Sequence, residues 1–146
     1  MGSINKILFF LFIIVSCKST PYLVLKNGKT VIPVYNYVFI NRNKFNMNIF
    51  KQIDTNCFYR QLDKSDGWES WLKFYSNGCV NKFHFEKNTL ITPSLFNPEV
   101  RGLRGVFYMD YDSIVNMDIF CAITPNRHLG IRNTQVRVVS DSVISD

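Results

Sequence analysis

The sequence has few of the side chains and motifs from which common enzyme classes build their active sites. It contains two histidines and four cysteines among 146 residues. It has no Gly-x-Ser-x-Gly elbow, no glycine-rich phosphate loop and no His-Glu-x-x-His motif. His84 alternates with two phenylalanines, and His128 follows a Pro-Asn-Arg turn, so both are expected at the surface. We therefore predict no catalytic residue, no metal and no cofactor, in a protein that is not an enzyme.

An apolar run long enough to cross a membrane as a helix is also absent. The apolar run at residues 7–15 (ILFFLFIIV) is far shorter than the about 20 residues that a spanning helix needs. It follows a short N-terminal segment with one positive charge, Lys6, and this combination is typical of an export signal. We therefore expect the chain to be exported.

The residues after the apolar run, Ile14-Val15-Ser16-Cys17, resemble the lipobox of bacterial lipoproteins. In that family a small residue precedes the cleaved bond, and the cysteine carries diacylglycerol and becomes the new N-terminus. The resemblance implies a signal peptide at residues 1–16, lipid attachment at Cys17, a tether at 17–20 and a single β domain at 21–146. It also implies a place in the cell envelope, with the outer membrane favoured. An ordinary cleaved secretory peptide is the alternative.

The charged residues are few and unevenly distributed. They make up 19% of the chain and hydrophobic residues 47%, which favours a globular domain over a disordered one. Much of the net charge of +6 lies between the anchor and the first acid, Asp54. We expect this stretch to contact anionic lipid headgroups, although a solvated basic face without that role is the alternative. Its basic residues are Lys18, Lys26, Lys29, Arg42, Lys44 and Lys51.

The remaining sequence predicts short strands joined by turns. Residues 22–26 and 30–35 flank Asn27-Gly28, a strong hairpin signal. Residues 36–55 carry conflicting signals for a short helix or an irregular strand, and residues 57–62 favour a strand. Further strands are predicted at 106–109, 114–123 and 129–140, and another begins at residue 142. Because the chain stops there, we expect the domain either to lack its final strand or to receive it from a partner.

The clearest predicted element is a hairpin at residues 70–86 with Asn77-Gly78 as a two-residue turn. This turn would place Ser76 opposite Cys79, with one apolar face directed to the core. The core face would carry Leu72, Phe74, Phe83 and Phe85. The opposite face would carry Trp71 opposite His84 and Tyr75 opposite Val80, which makes Trp71, His84 and Tyr75 the candidate contacts for a ligand or partner.

These strands predict an all-β fold with at most one short helix, arranged as an antiparallel meander that closes as a small barrel or folds as a sandwich. Three motifs support the barrel: Trp71-Leu-Lys-Phe-Tyr-Ser-Asn-Gly-Cys-Val, Arg104-Gly-Val-Phe-Tyr, and Val136-Arg-Val-Val-Ser-Asp-Ser-Val. They are similar to segments of small, functionally uncharacterised gram-negative lipoproteins with a lipocalin-like meander. The resemblance spans about half the chain and implies a barrel fold.

Two other sets of residues suggest a calcium site and disulfide bonds; the first is disfavoured and the second stays open. Asp110, Asp112, Asn116 and Asp118 suggest a calcium loop, but Ile114 and Val115 stand where an oxygen ligand and a glycine are needed, which favours a hairpin turn. After the anchor, Cys57, Cys79 and Cys121 remain. They can form one disulfide and one buried thiol, or remain as three buried thiols.

Three functions remain as hypotheses. The first is a membrane-anchored, non-enzymatic domain that binds a small apolar ligand or an envelope partner through a barrel mouth or an exposed edge. The second is a structural subunit of an outer-membrane assembly that uses an unpaired last strand. The third is an inhibitor of a host hydrolase, which the basic charge disfavours because targets such as lysozyme are also basic. No nucleic-acid partner is expected, because an exported chain does not routinely meet one.

Overall fold

The computed structural model describes residues 21–34, 39–62, 67–109, 114–123, 128–140 and 143–145. The leader, Cys17 and Lys18 lie outside these residues, as do the turns predicted around residues 63–66, 110–113 and 124–127. The described regular elements are strands and 3₁₀ helices. The strands are β1 (Tyr22–Val24), β2 (Val31–Pro33), β3 (Phe58–Leu62), β4 (Trp68–Phe74), β5 (Cys79–Glu86), β6 (Leu103–Met109), β7 (Val115–Ala122), β8 (Leu129–Ser140) and β9 (Val143–Ser145).

Strands β3 to β9 form a closed barrel in chain order, while β1 and β2 form a separate antiparallel hairpin. Neighbouring barrel strands are antiparallel except at the closing pair, where β3 and β9 are parallel and Arg60 lies opposite Val143. The predicted all-β fold is confirmed, and it is a barrel rather than a sandwich. Seven strands with a parallel closure differ from the eight-stranded up-and-down lipocalin barrel.

The last strand does not have the free edge that the sequence suggested. β9 pairs with β8 on one side, where Val138 lies opposite Ile144, and with β3 on the other. Ile144 is fully buried. The last described strand, Val143–Ser145, is therefore paired on both sides and closes the described barrel, whereas the expectation of a missing final strand stays a prediction.

Side chains fill the interior of the barrel. One cluster of buried apolar residues includes the rings of Tyr59, Phe74 and Phe107, each at most 1% exposed. The predicted short helix is present as 3₁₀ turns, and the second of these contributes Ile49 to the same cluster. The 3₁₀ helices are Ile40–Lys44, Met47–Lys51 and Pro93–Phe96.

The β4–β5 hairpin is present, but its register differs by one residue from the predicted one. The backbone nitrogen of Tyr75 donates to the carbonyl oxygen of Cys79 at 2.9 Å, which leaves three residues in the loop. Gly78 adopts φ +80°, whereas Asn77 does not have the positive φ that a type I′ turn needs at both central positions. The extra loop residue shifts every cross-strand pair.

This shift separates the four residues predicted to share one core face. Leu72 now lies opposite Lys82, and Trp71 lies opposite Phe83. Leu72 and Phe74 belong to the barrel interior. Phe83 and Phe85 are also buried, but they pack outside the barrel against Phe96 of the third 3₁₀ helix, with ring centroids 5.3 and 5.4 Å away. We call this group the outer aromatic cluster: Phe58, Trp71, Phe83, Phe85 and Phe96.

Cys57, Cys79 and Cys121 form no disulfide within the described part of the chain, which favours three thiols, although Cys57 and Cys79 are only half-buried. Cys121 is buried inside the barrel, and burial raises the pKa of its thiol. Among the described residues, no helix is both long and apolar enough to span a bilayer.

Candidate ligand sites on the outer barrel wall

Two pockets lie on either side of the segment that carries the first 3₁₀ helix. Phe39 and Arg42 face one pocket, whereas Ile40 and Asn41 face the other. The segment is held against the barrel because Phe39, 6% exposed, packs with Val106 and Phe120 on the outside of β6 and β7. This packing gives both pockets a fixed wall.

The first of these, the arginine pocket, has a volume of about 360 Å³, within the usual range for small-molecule sites. Strand β6 contributes Arg104 to it, and the first 3₁₀ helix contributes Arg42. The β4–β5 loop contributes Tyr75 and Asn77. The full lining is Pro33, Phe39, Arg42, Tyr75, Asn77, Cys79, Asn81, Pro98, Arg104, Gly105 and Val106.

The arginine pocket has a positive charge that the described residues do not neutralise. The ion pair found in the described part of the chain joins Arg60 to Glu69, at 2.8 Å, and neither Arg42 nor Arg104 forms one there. Burial raises the pKa of the Tyr75 hydroxyl, and the positive charge of Arg104 opposes this effect. A planar guanidinium suits carboxylate, sulfonate and phosphate groups.

The walls around the two arginines are largely apolar. Phe39 and Val106 are nearly fully buried, and they lie beside Pro33 and Pro98 at the pocket. An apolar wall beside fixed positive charges matches a ligand with an apolar body and an anionic head. The pocket therefore combines apolar walls with two cationic side chains.

The structure does not bring the three predicted contact residues together. Tyr75 lines the arginine pocket. Trp71 lies in the outer aromatic cluster, where its indole nitrogen is buried without a hydrogen-bond partner among the described residues. His84 pairs with Ser70 and not with Trp71, and its Nδ1 lies 3.0 Å from the Ser70 hydroxyl. The prediction that Trp71 and His84 share a face is wrong, because the register shift places them on opposite faces.

The basic residues predicted to meet headgroups are divided between several surfaces. Arg42 belongs to the arginine pocket, and the Lys44 ammonium lies 5.3 Å from the ring centroid of Tyr108. Lys26, Lys29 and Lys51 are exposed. Sequence patterns did not identify Arg104 or Phe39 as site residues. Arg104 begins a motif that indicated only the barrel fold, and its proximity to Phe39 depends on the packing of residues 39–44 against β6.

Asn116 and Asp118, considered above for calcium, lie on the outer face of β7 next to the second pocket. Asp110 and Asp112 lie outside the described residues. Within those residues, no group of three or more histidine, cysteine or acidic side chains is arranged to hold a metal ion.

No protein-family model matches this sequence, and comparisons with curated proteins and with solved structures likewise found no match. What is shown is therefore a small all-β domain with a closed seven-stranded barrel.

Proposed function

We propose that this protein is an exported lipoprotein, held at a membrane by a lipid on Cys17, whose barrel is a non-enzymatic binding domain. The ligand proposed is a small amphiphile with an apolar body and an anionic headgroup. It binds in the arginine pocket on the outer wall. The lipobox at residues 14–17 supports the anchor, and a cell-envelope location follows from it.

The single observation that carries the binding proposal is the pair Arg42 and Arg104. Both guanidinium groups line an apolar-walled pocket of about 360 Å³, and neither forms an ion pair within the described residues. Keeping two like charges near one pocket opposes folding unless a ligand or solvent compensates them. A bound anion compensates them directly through charge-assisted hydrogen bonds.

The barrel interior is a poorer site for the apolar ligand that the sequence suggested. A ligand there would have to displace Tyr59, Phe74 and Phe107, which pack in one continuous core. Losing the packing of a buried aromatic ring costs about 3–5 kcal/mol when the ring is removed by mutation, and moving several rings aside would lose packing of the same kind. The apolar ligand is therefore proposed for the outer pocket, where its headgroup also finds a partner.

The proposal is tested with the full chain in detergent and the fluorescent probe anilinonaphthalene sulfonate, an anionic apolar molecule. We expect saturable binding, weakened about tenfold or more in Arg42→Gln/Arg104→Gln because two charge-assisted contacts are lost. The neutral probe N-phenylnaphthylamine should lose much less affinity. Mass spectrometry of the same preparation should find an acylated Cys17 as the first residue.

The matched control is Arg137→Gln, which removes an exposed arginine of β8 that does not line the pocket. It should bind both probes like the unaltered protein. Equal sulfonate affinity in the double variant and the unaltered protein would contradict the pocket assignment. An unacylated N-terminus would contradict the anchor and leave the pocket assignment standing.

A further inference from the structure

The outer faces of β6, β7 and β8 carry a group of buried polar side chains. Tyr108, Asn116 and Asp118 are only 3%, 2% and 3% exposed. Strand register brings Tyr108 next to Asn116, and places Asn133 and Gln135 of β8 opposite Asp118 and Asn116. Outward polar side chains of a sheet usually face water, so their burial here reflects the covering first 3₁₀ helix.

A hydrogen-bond network fixes these side chains in orientation. Asp118 accepts from the amide nitrogens of Asn41 and Asn133, each at 2.8 Å. The same nitrogen of Asn133 donates to the Tyr108 hydroxyl at 3.1 Å, and the amide nitrogen of Gln135 donates to Asn116 at 3.1 Å. Because these hydrogen bonds hold the side chains in one orientation, little further ordering is needed when a ligand binds, so the site is preorganised.

The network leaves hydrogen-bond acceptors on residues that line the groove. The amide oxygens of Asn41, Asn133 and Gln135 accept no hydrogen bond from the described residues, while their nitrogens are committed within the network. Asn133 and Gln135 are exposed. Acceptors in several directions complement a ligand that carries several hydroxyl donors.

The described residues place one charge of each sign near the groove. Asp118 is the acid among the described residues that line it, and the Lys44 ammonium lies 5.3 Å from the ring centroid of Tyr108, which also lines it. One negative and one positive group give little net attraction for an anion or a cation. Since charge gives little attraction here, we expect hydrogen bonds to select the ligand and the ligand to be neutral.

From these observations we propose that this pocket, the amide groove, binds a neutral saccharide. Its volume of about 480 Å³ suits one or two sugar rings. Ile40, 82% exposed, and Ile131 flank the polar floor and offer an apolar surface to the C–H face of a ring. The groove is separated from the arginine pocket by residues 39–44, so this proposal stands independently of the amphiphile site.

The test titrates the full chain, in a detergent without a sugar headgroup, with neutral mono- and disaccharides by calorimetry and saturation-transfer NMR. Glucosamine and glucuronate serve as the cationic and anionic counterparts. We expect saturable binding of at least one neutral sugar, weakened about tenfold in Asn133→Ala/Gln135→Ala because ligand hydrogen bonds are lost. Neither charged counterpart should bind more tightly than the neutral sugar.

The matched control is Asn48→Ala, which removes an exposed amide that does not line the groove, and it should bind like the unaltered protein. The double variant must show a cooperative urea transition like that of the unaltered protein, which shows that it is folded. If the double variant does not fold, the single variant Gln135→Ala, at an exposed position, takes its place, and its affinity for the neutral sugar should fall severalfold. The absence of saturable binding by any neutral sugar, or unchanged affinity in the folded variant, would overturn the proposal.

Discussion

The barrel interior and the outer barrel wall are built from different chemistry on the same strands. Strand β7 shows this most clearly, because almost every residue in it is buried. Val115, Met117 and Ile119 enter the apolar interior, while Asn116 and Asp118 alternate with them on the outside. The interior therefore supplies stability, and the outer wall carries the polar and charged groups that suit binding.

This division means that each candidate site can change without repacking the core. Arg42 and Asn41 belong to the first 3₁₀ helix, outside the barrel, and Arg104 and Asn133 point away from the interior. Substitutions there alter hydrogen bonds and charge, whereas substitutions inside leave cavities. Measurements that compare the two regions should therefore separate stability from ligand affinity.

The largest expected effect is that of Phe107→Ala in the interior. Phe107 is 0% exposed and its ring lies 4.9 Å from that of Phe74, centroid to centroid. Removing a fully buried phenylalanine lowers the free energy of unfolding by about 3–5 kcal/mol, because apolar burial is lost and a cavity remains. Urea denaturation followed by tyrosine and tryptophan fluorescence measures this change. A loss below about 1 kcal/mol would show that the interior is loosely packed.

An intermediate effect is expected for Phe96→Ala in the outer aromatic cluster. Phe96 contacts Phe58, Trp71, Phe83 and Phe85, but its own side chain is only partly buried. The surrounding 3₁₀ helix can also relax, so we expect a loss of about 1–3 kcal/mol in the same urea experiment. A loss equal to that of Phe107→Ala would remove the energetic distinction between the interior and this outer cluster.

The smallest stability effect is expected for the double variant Arg42→Gln/Arg104→Gln. Neither guanidinium forms an ion pair among the described residues, so the free energy of unfolding without ligand should change by less than about 0.5 kcal/mol. The same urea titration, repeated with saturating anionic probe, should show stabilisation of the unaltered protein but not of the variant. Strong destabilisation of the unliganded variant would instead indicate that the arginines serve the fold.

Local patterns predicted the strands well, because alternation and turn residues act over a few positions. The β8 strand at Leu129–Ser140 and the β1–β2 hairpin around Asn27-Gly28 follow from them. The register of the β4–β5 hairpin did not follow, because Asn77-Gly78 suits both a two-residue loop and a three-residue loop ending at a left-handed glycine. One loop residue decided on which side of the sheet Phe83 lies.

The candidate sites were less accessible to sequence reasoning, because they depend on contacts between distant residues. Asn41 meets Asp118 although 77 positions separate them, and no local pattern indicates that pairing. Tyr75 was identified from its predicted place on the outward face of the hairpin, but Arg104 required knowledge of which strand lies beside that hairpin. The interior could be anticipated from apolar alternation, whereas the outer wall required the packing of residues 39–44.

The parallel pairing of β3 with β9 has a consequence for biogenesis. A polypeptide is synthesised from its N-terminus, and the ring of strands cannot be completed until Val143–Ser145 arrive beside Arg60 and Leu62. Until then the edges of β3 and β8 lack their final neighbours, and such edges readily recruit other chains. Three residues that are made more than 80 positions after β3 therefore decide when both edges are protected.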